Sequence, residues 1–452
     1  MPIEINASPP PAAHLSTLAQ MGYSFSTAVG DILDNSISAG ATEIRIFLLK
    51  KHGGYRFYLV DNGSGMNESD LYKNMVIGCQ DPNLTREKHD LGRFGAGLKT
   101  ASFSQAKVLT VCSWQESKQK SAAVWDTDLV RKENAWLLQG LEQDEILADE
   151  DLTELPFSET GTLVRWAGLT TLETDTIDEA VAAQAATIVN ELHSYLGLHF
   201  HRFLGSTCRV EINGTIVEPI DPFMSKFKGY SEGAEQKVRS KAGTVFIKAH
   251  TLPILSSLSD RDLRPYGGAK GVTEGQGLYI YRNKRLIVAG GWHGITPRSE
   301  LGNLARIQID IPATMDWEWD TDVKKSRLTI PPKVRAVLKT KLTPAATRRS
   351  RKKHTYAGES ESVSEFWKVL INDRDEGKSI TYLLNPMAQP LELIFEELSA
   401  KGASQLLRFL REASLELPVK HIYQAYAERP SSVQVADPIE EEIDGLLEAL
   451  NG

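Results

Sequence analysis

The sequence predicts an α+β protein: two mixed regions in series, followed by a mostly helical C-terminal region. Three observations give that class. Apolar residues recur at helical spacing from His14 to Ala41 and again from Thr176 to Leu204. Runs rich in β-branched and aromatic residues come in pairs joined by turn residues, with Asn213-Gly214 the plainest hairpin signal. Amphipathic helical patterns then fill most of the chain after residue 363. At roughly 150 residues per domain, 452 residues make about three domains.

Taken in order, Leu15, Leu18 and Met21 begin an apolar helical face and Val29, Ile32 and Leu33 continue one, predicting a helical pair. Ile44 to Leu49 and Tyr55 to Val60 flank Lys51-His52-Gly53-Gly54 and read as a hairpin. Val108 to Trp114, Ala122 to Thr127 and Gly161 to Trp166 read as further strands, and the acidic stretch Glu142 to Glu159 reads as a solvated loop. A long helix and the hairpin Cys208 to Val217 follow, then strands at Gly243 to Ala249, Gly277 to Arg282, Arg285 to Val288 and Ala305 to Ile311. Arg348 to Lys353 with Glu359 to Glu361 reads as a polar linker, and Leu391 to Ser399, Ala403 to Ala413 and Ile439 to Leu450 as amphipathic helices. The expected domains are 1–172, 173–335, a linker 336–362, and 363–452.

With 41% hydrophobic and 24% charged residues, the composition is that of a globular chain. Cys79, Cys112 and Cys208 lie far apart without metal-ligand spacing, so a disulfide framework or zinc site is not indicated and a reducing cytoplasmic compartment fits. No run of 18 apolar residues and no basic leader occurs, so neither membrane spanning nor secretion is expected. The net charge of −8 is uneven. Lys324 to Lys353 carries 12 basic and no acidic residues, leaving 39 basic against 59 acidic elsewhere. Such a segment neutralises phosphates in a salt-dependent way, or serves as a solvated linker.

Four segments carry chemistry. In Gly30 to Ala41, Asp31 and Asn35 are four apart and share a helix face, as a water and a divalent cation would require; a polar stripe on an amphipathic helix is the plain alternative. In Leu59 to Met66, Asp61 ends a β-rich run and is followed by Gly63 and Gly65, leaving a carboxylate at a pocket mouth beside bare backbone, or a tight turn. Gly92-Arg93-Phe94-Gly95-Ala96-Gly97-Leu98-Lys99-Thr100 turns backbone N–H groups inward before a helix start, which suits anionic oxygens. It is not a Walker A loop, because Leu98 separates Gly97 from Lys99, nor a dinucleotide fingerprint, because Thr100 stands at the third glycine. Thr160-Gly161-Thr162 opens a strand as a small-residue site.

In this order the four segments resemble the GHKL ATPase superfamily, named for gyrase, heat-shock-90-type chaperones, histidine kinases and MutL, over residues 14 to 170. The resemblance implies the left-handed α/β sandwich of that family, with ATP and Mg²⁺ bound between the sheet and a flexible lid. On it, Asp61 resembles the acceptor of the adenine amino group, with Gly63, Gly65 and Met66 beside it; Asn35 resembles the Mg²⁺ ligand; Gly92 to Lys99 line the phosphates; and Thr162 supports the adenine-binding carboxylate, often through water. Asp31 falls where many members have a glutamate that polarises the attacking water, one methylene longer, which implies slow turnover. Asp34, rotated about 100° from Asn35, ranks second. Ser38 is a further departure, since MutL-like members often carry Asp there.

No phospho-accepting helical hairpin surrounds His14, which argues against a histidine kinase. Val210 to Gly214, Pro219 to Pro222, Gly277 to Ile287 and Trp317 to Ser326 instead resemble a ribosomal-protein-S5-like transducer domain, in which a lysine senses the terminal phosphate. Lys325 is the expected one and Lys324 the alternative. Bacterial MORC-like proteins are the nearest resemblance, through Phe366-Trp367, Ile380 to Pro386 and Gln389-Pro390-Leu391. This implies an ATP-dependent homodimer acting on DNA, in some cases in anti-phage defence, with the C-terminal domain available to a partner protein. A non-hydrolysing ATP-gated assembly protein and a heat-shock-90-type chaperone are the alternatives. His199 and His201, set among large apolar residues, read as structural.

Overall fold

The computed structural model describes residues 9–20, 22–52, 54–78, 97–116, 119–172, 178–319, 329–357, 367–374, 377–384, 394 and 397–415. The first region opens with α1 (Pro11–Ala19) and α2 (Phe25–Ser38), the helical pair read from the sequence. Ser24 caps α2, its hydroxyl accepting from the Thr27 N–H at 3.3 Å. Then come β1 (Glu43–Lys51), β2 (Gly54–Asp61), α3 (Glu68–Met75), α4 (Gly97–Gln105), β3 (Ala106–Trp114), β4 (Ser121–Asp126), α5 (Thr127–Glu133), β5 (Gln139–Leu141), α6 (Gln143–Ala148), α7 (Glu150–Glu154), β6 (Gly161–Leu169), α8 (Asp178–His199), β7 (Arg209–Ile212) and β8 (Thr215–Ile216).

These strands form one sheet in the order β5-β4-β3-β6-β2-β1-β7-β8. Alternation sorts its side chains to two faces. Phe57, Leu59, Leu109, Val111, Val164 and Trp166 enter the large core beneath α2, α4 and α8, while Val60, Cys112, Trp114 and Leu163 meet Ile146 and Leu152 of α6 and α7 on the other. Phe25 of α2 packs edge-on to Phe57 and Trp166 at 5.5 and 5.7 Å, seating the helix on the sheet.

Two sequence expectations change here. β7 lies parallel to β1, with Glu43 opposite Arg209 and Ile46 opposite Ile212, and α8 buries Val181, Leu192 and Leu196 in the first core. The first sheet and its core therefore continue past residue 172 to Val217, and Val210 to Gly214 lies within them. The hairpin itself forms as read, with positive φ at both Asn213 (49°) and Gly214 (79°). The acidic stretch also folds into α6 and α7. Asp151, only 6% exposed, accepts from the Tyr58 hydroxyl at 2.8 Å and pairs with Lys51 and Arg56 at 3.0 and 3.1 Å, while Asp149 pairs with Arg165 at 2.7 Å. Burial opposes the Asp151 charge, but these partners hold its pKa below the ordinary value.

The second domain is built on β9 (Ser231–Glu232), β10 (Gln236–Arg239), β11 (Thr244–Thr251), β12 (Gly277–Arg282), β13 (Arg285–Ala289) and β14 (Ala305–Ile311), in the order β10-β11-β14-β12-β13 with β9 on β11. Asn283 and Lys284 turn β12 into β13, both with positive φ. The segment expected to be a linker is instead helical over Pro332–Val337, Leu338–Leu342 and Thr343–Ala357. Val334, Leu338, Leu342, Ala346 and Ser350 recur every four residues and are buried on this side of the helices, leaving most of the basic residues outside and Arg349 and Lys353 half-buried. The C-terminal region, expected to be mostly helical, pairs Trp367–Arg374 with Gly377–Leu384 as an antiparallel hairpin before the helix Ala400–Leu415. Residues 439–450 lie outside the described residues. Among the described residues, no helix is long and apolar enough to cross a membrane.

Candidate functional site

Helix α2 is the spine of the site. It is buried nearly all round, so its polar side chains are held inside the protein rather than on a solvated face. Asp31 is 8% exposed and Asp34 1%, whereas Asn35 on the same helix is open to solvent. The Asp31 carboxylate accepts from the Tyr23 hydroxyl at 3.2 Å. It faces Gly97, the first residue of α4, where an added Cβ would stand 3.8 Å from Oδ2. Asp34 turns away from that point: Arg285 of β13 donates to its Oδ2, and the same guanidinium nitrogen stands 3.5 Å from Asp31 Oδ1.

Asp61 ends β2 beside the same helix. Its Oδ2 accepts from Ser36 Oγ of α2 at 2.7 Å and its Oδ1 from the Gly63 N–H at 2.9 Å. Burial raises its pKa, and the hydrogen bonds from Ser36, Gly63 and the Thr162 main chain pull the other way. Thr162 lies opposite Asp61 in the sheet, but its hydroxyl sits 2.9 Å from Ser113 Oγ, so its support for the carboxylate is a main-chain one. Ser113 in turn accepts from the Met66 N–H at 2.8 Å, fixing the loop after β2.

The glycines of that loop differ from expectation. The space a side chain would take at Gly63 is filled by Ala39, 2.9 Å from the added Cβ. At Gly65, with φ of 64°, an added Cβ would stand 1.9 Å from the Trp114 carbonyl oxygen. Both glycines let protein pack against protein on that side; they do not leave it bare.

Of the third segment, Gly92, Arg93, Phe94, Gly95 and Ala96 lie outside the described residues, as do Lys324 and Lys325. Gly97 is the first described residue of α4. Leu98 packs against the first core, and the Lys99 ammonium, expected near phosphate, donates to the Asn74 carbonyl at the end of α3 at 2.7 Å with the residue 2% exposed. His199 and His201 each direct Nδ1 at a backbone carbonyl, of Leu286 and Leu198, at 2.7 Å.

The basic segment divides into two sets. Lys353 donates to the carbonyls of Gly229 and Leu252. Lys333, Arg335, Lys339, Arg348, Arg351 and Lys352 are exposed along the helices.

Sequence reasoning missed Ser36 and Arg285. Ser36 was legible in principle, one turn and a half beyond Asp31 on a helix already singled out. Arg285 was not, because its partner Asp34 lies 251 residues earlier.

Residues 23–162 match a family model described as histidine kinase-, DNA gyrase B-, and HSP90-like ATPase. A comparison with curated proteins returned no match. The matched region holds α2, Asp61 and Thr162, and it is an ATP-binding domain of the GHKL ATPase type.

Proposed function

We propose that this chain is a slowly hydrolysing, Mg²⁺-dependent ATPase of the MORC-like or MutL-like kind, acting as an ATP-operated dimerising clamp on DNA. The observation that carries the reading is the convergence on α2: Asp31 lies beside Gly97 of α4, and Ser36 meets Asp61, so three separate sequence segments come together along one helix. The residues fit the ligand. Asp61 supplies a buried acceptor for an adenine amino group, and Asn35 offers an exposed amide oxygen for a hydrated cation one helical turn from Asp31. When bound, Mg²⁺ supplies positive charge at the phosphate oxygens.

In this scheme Asp31 accepts the proton of the attacking water, the N-terminus of α4 and the loop 92–96 hold the phosphoryl oxygens, and Lys325, or Lys324, reads the terminal phosphate from the second domain. The second domain acts as the transducer. The exposed basic residues of the helices 332–357 meet DNA phosphates, and the C-terminal region takes a partner protein. A cytoplasmic setting and a role in anti-phage defence complete the reading. The engagement of the short Asp31 side chain beside Arg285 favours one alternative, a protein in which ATP gates assembly without turnover.

The test is Asp31→Asn, with phosphate release and ATP binding measured side by side. We expect turnover to drop at least about 100-fold with Kd changed by less than about threefold. Unchanged turnover removes Asp31 from the role of base, and no turnover in the unmodified chain leaves the assembly protein.

A further inference from the structure

We propose that Arg285 is a positioning residue for hydrolysis, through which the second domain sets the Asp31–Asp34 carboxylate pair of the ATP-binding helix. The inference rests on the ATPase reading above and adds a residue that the sequence motifs did not mark.

Arg285 is the first residue of β13, the edge strand of the second sheet, immediately after the Asn283-Lys284 turn. Its side chain is 5% exposed, yet the groups it meets come from the first domain. It donates to Asp34, lies 3.5 Å from Asp31, donates to the Tyr195 hydroxyl of α8 at 3.2 Å, and covers the Phe200 ring at 4.6 Å. The fit is built on both sides. Gly30 leaves the room: a Cβ there would stand 2.8 Å from Arg285 Nη2 and 3.0 Å from the Tyr195 ring. Neighbouring contacts hold the second sheet to the C-terminal end of α8 and the residues after it, with His199 Nδ1 on the Leu286 carbonyl of β13 at 2.7 Å and Arg202 paired with Asp310 of β14.

The charge balance makes this arrangement sensitive to domain position. One guanidinium faces two carboxylates on one buried helix. Withdrawing it takes a positive charge away from both at once, which raises the cost of keeping the two carboxylates in their present places. Because one guanidinium nitrogen meets both carboxylates while the other is held by the Tyr195 hydroxyl, displacing the group moves it from Asp34 and Asp31 together. The second domain thereby determines whether Asp31 is aimed at the start of α4.

The full chain is tested with three substitutions, reading ATP affinity by titration of a fluorescent ATP analogue and turnover by phosphate release. Arg285→Met is expected to lower kcat at least tenfold while ATP affinity changes less than threefold. Arg285→Lys, which keeps the charge without the fork, recovers part of that loss. Gly30→Ala keeps every charge and is the better helix former, but displaces the guanidinium. It is expected to lower kcat by a similar factor with unchanged helical content, and it decides the matter if Arg285→Met does not fold. The proposal is overturned if Arg285→Met keeps kcat within twofold, if kcat and ATP affinity fall in parallel, or if Gly30→Ala turns over normally. Turnover in the unmodified chain with indifferent variants refutes this inference alone, whereas no turnover in the unmodified chain overturns the ATPase reading with it.

Discussion

Replacing Asp61 by Asn changes one atom of a buried site, so its effects can be worked through. The carboxylate takes the Ser36 hydroxyl at 2.7 Å, the Gly63 N–H at 2.9 Å and a Thr162 main-chain donor. An amide keeps the shape but replaces one acceptor by an NH₂. The Gly63 N–H cannot rotate, so the remaining oxygen stays with it, and the NH₂ faces Ser36, whose hydroxyl can turn to accept. The fold then loses only about 1 kcal/mol. The bound adenine loses more. Its amino group exchanges an ionised acceptor for a donor, forfeiting a charge-assisted hydrogen bond and burying an unmatched N–H, about 2–4 kcal/mol in all. Kd for ATP should rise roughly 30- to 1000-fold. Titration calorimetry at fixed Mg²⁺ and salt measures it, with thermal unfolding as the control for the fold. Inosine triphosphate, whose 6-oxo group accepts from the new NH₂, should lose far less, so the ratio of the two affinities is the sharper readout. A folded Asp61→Asn variant that binds ATP within about threefold of the original refutes the reasoning. The same picture gives a pH dependence. Burial raises the Asp61 pKa, so ATP affinity should begin to fall on acidification before an ordinary carboxylate at 3.8 would require it.

Burial lowers the pKa of His199 and of His250 from 6.5 to about 4, so as pH falls from 6.5 to 4 the unfolded chain takes up protons first and stability declines; above 6.5 it is fully present. His199→Gln should remove up to roughly 3 kcal/mol of that decline, seen as a flatter denaturant midpoint against pH, and an unchanged slope would contradict a neutral buried ring. On the basic helix, Arg348→Glu with Lys352→Glu should weaken duplex DNA binding and reduce its salt slope by about 0.9 for each phosphate no longer neutralised. Lys353→Met should leave that slope alone and lower Tm, because the Lys353 ammonium is held by backbone carbonyls; equal slopes for both variants would mean that this face does not meet DNA.

Much of this was legible in the chain because local chemistry and tertiary structure agree. Asn213-Gly214 gives a hairpin wherever it stands, and the alternating runs at 44–49 and 55–60 form one antiparallel pair whose register closes at Lys51 opposite Gly54. Where side-chain size hides the pattern, reading fails. Ala346 and Ser350 carry the buried stripe of the helix 343–357 but weigh little against five basic residues in six positions, so a packed helix looked like a solvated tether. The carboxylates of α2 were visible as chemistry. Their partners were not, since Ser36 resembles any helix serine and Arg285 reaches Asp34 only after two domains have folded. The glycines at 63 and 65 were recognised as necessary for a reason that the packing reverses.

The pairing of β7 with β1 has a consequence for what counts as a unit of this protein. The stretch that identifies the ATPase ends at 162, yet β1 is the middle of a ladder completed only by residues 209–212, and α8 roofs the same core. Cut at 172, the fragment would present β1 as a naked edge with its hydrogen-bonding groups open to any passing strand and would expose the apolar surface that α8 covers; cut at 162, it would also lose most of β6, the strand that joins β2 to β3. The recognisable sequence and the sheet it belongs to therefore have different bounds, and the shorter stretch is expected to aggregate. Inheritance of this domain, whether in evolution or on the bench, has to carry the chain through Val217.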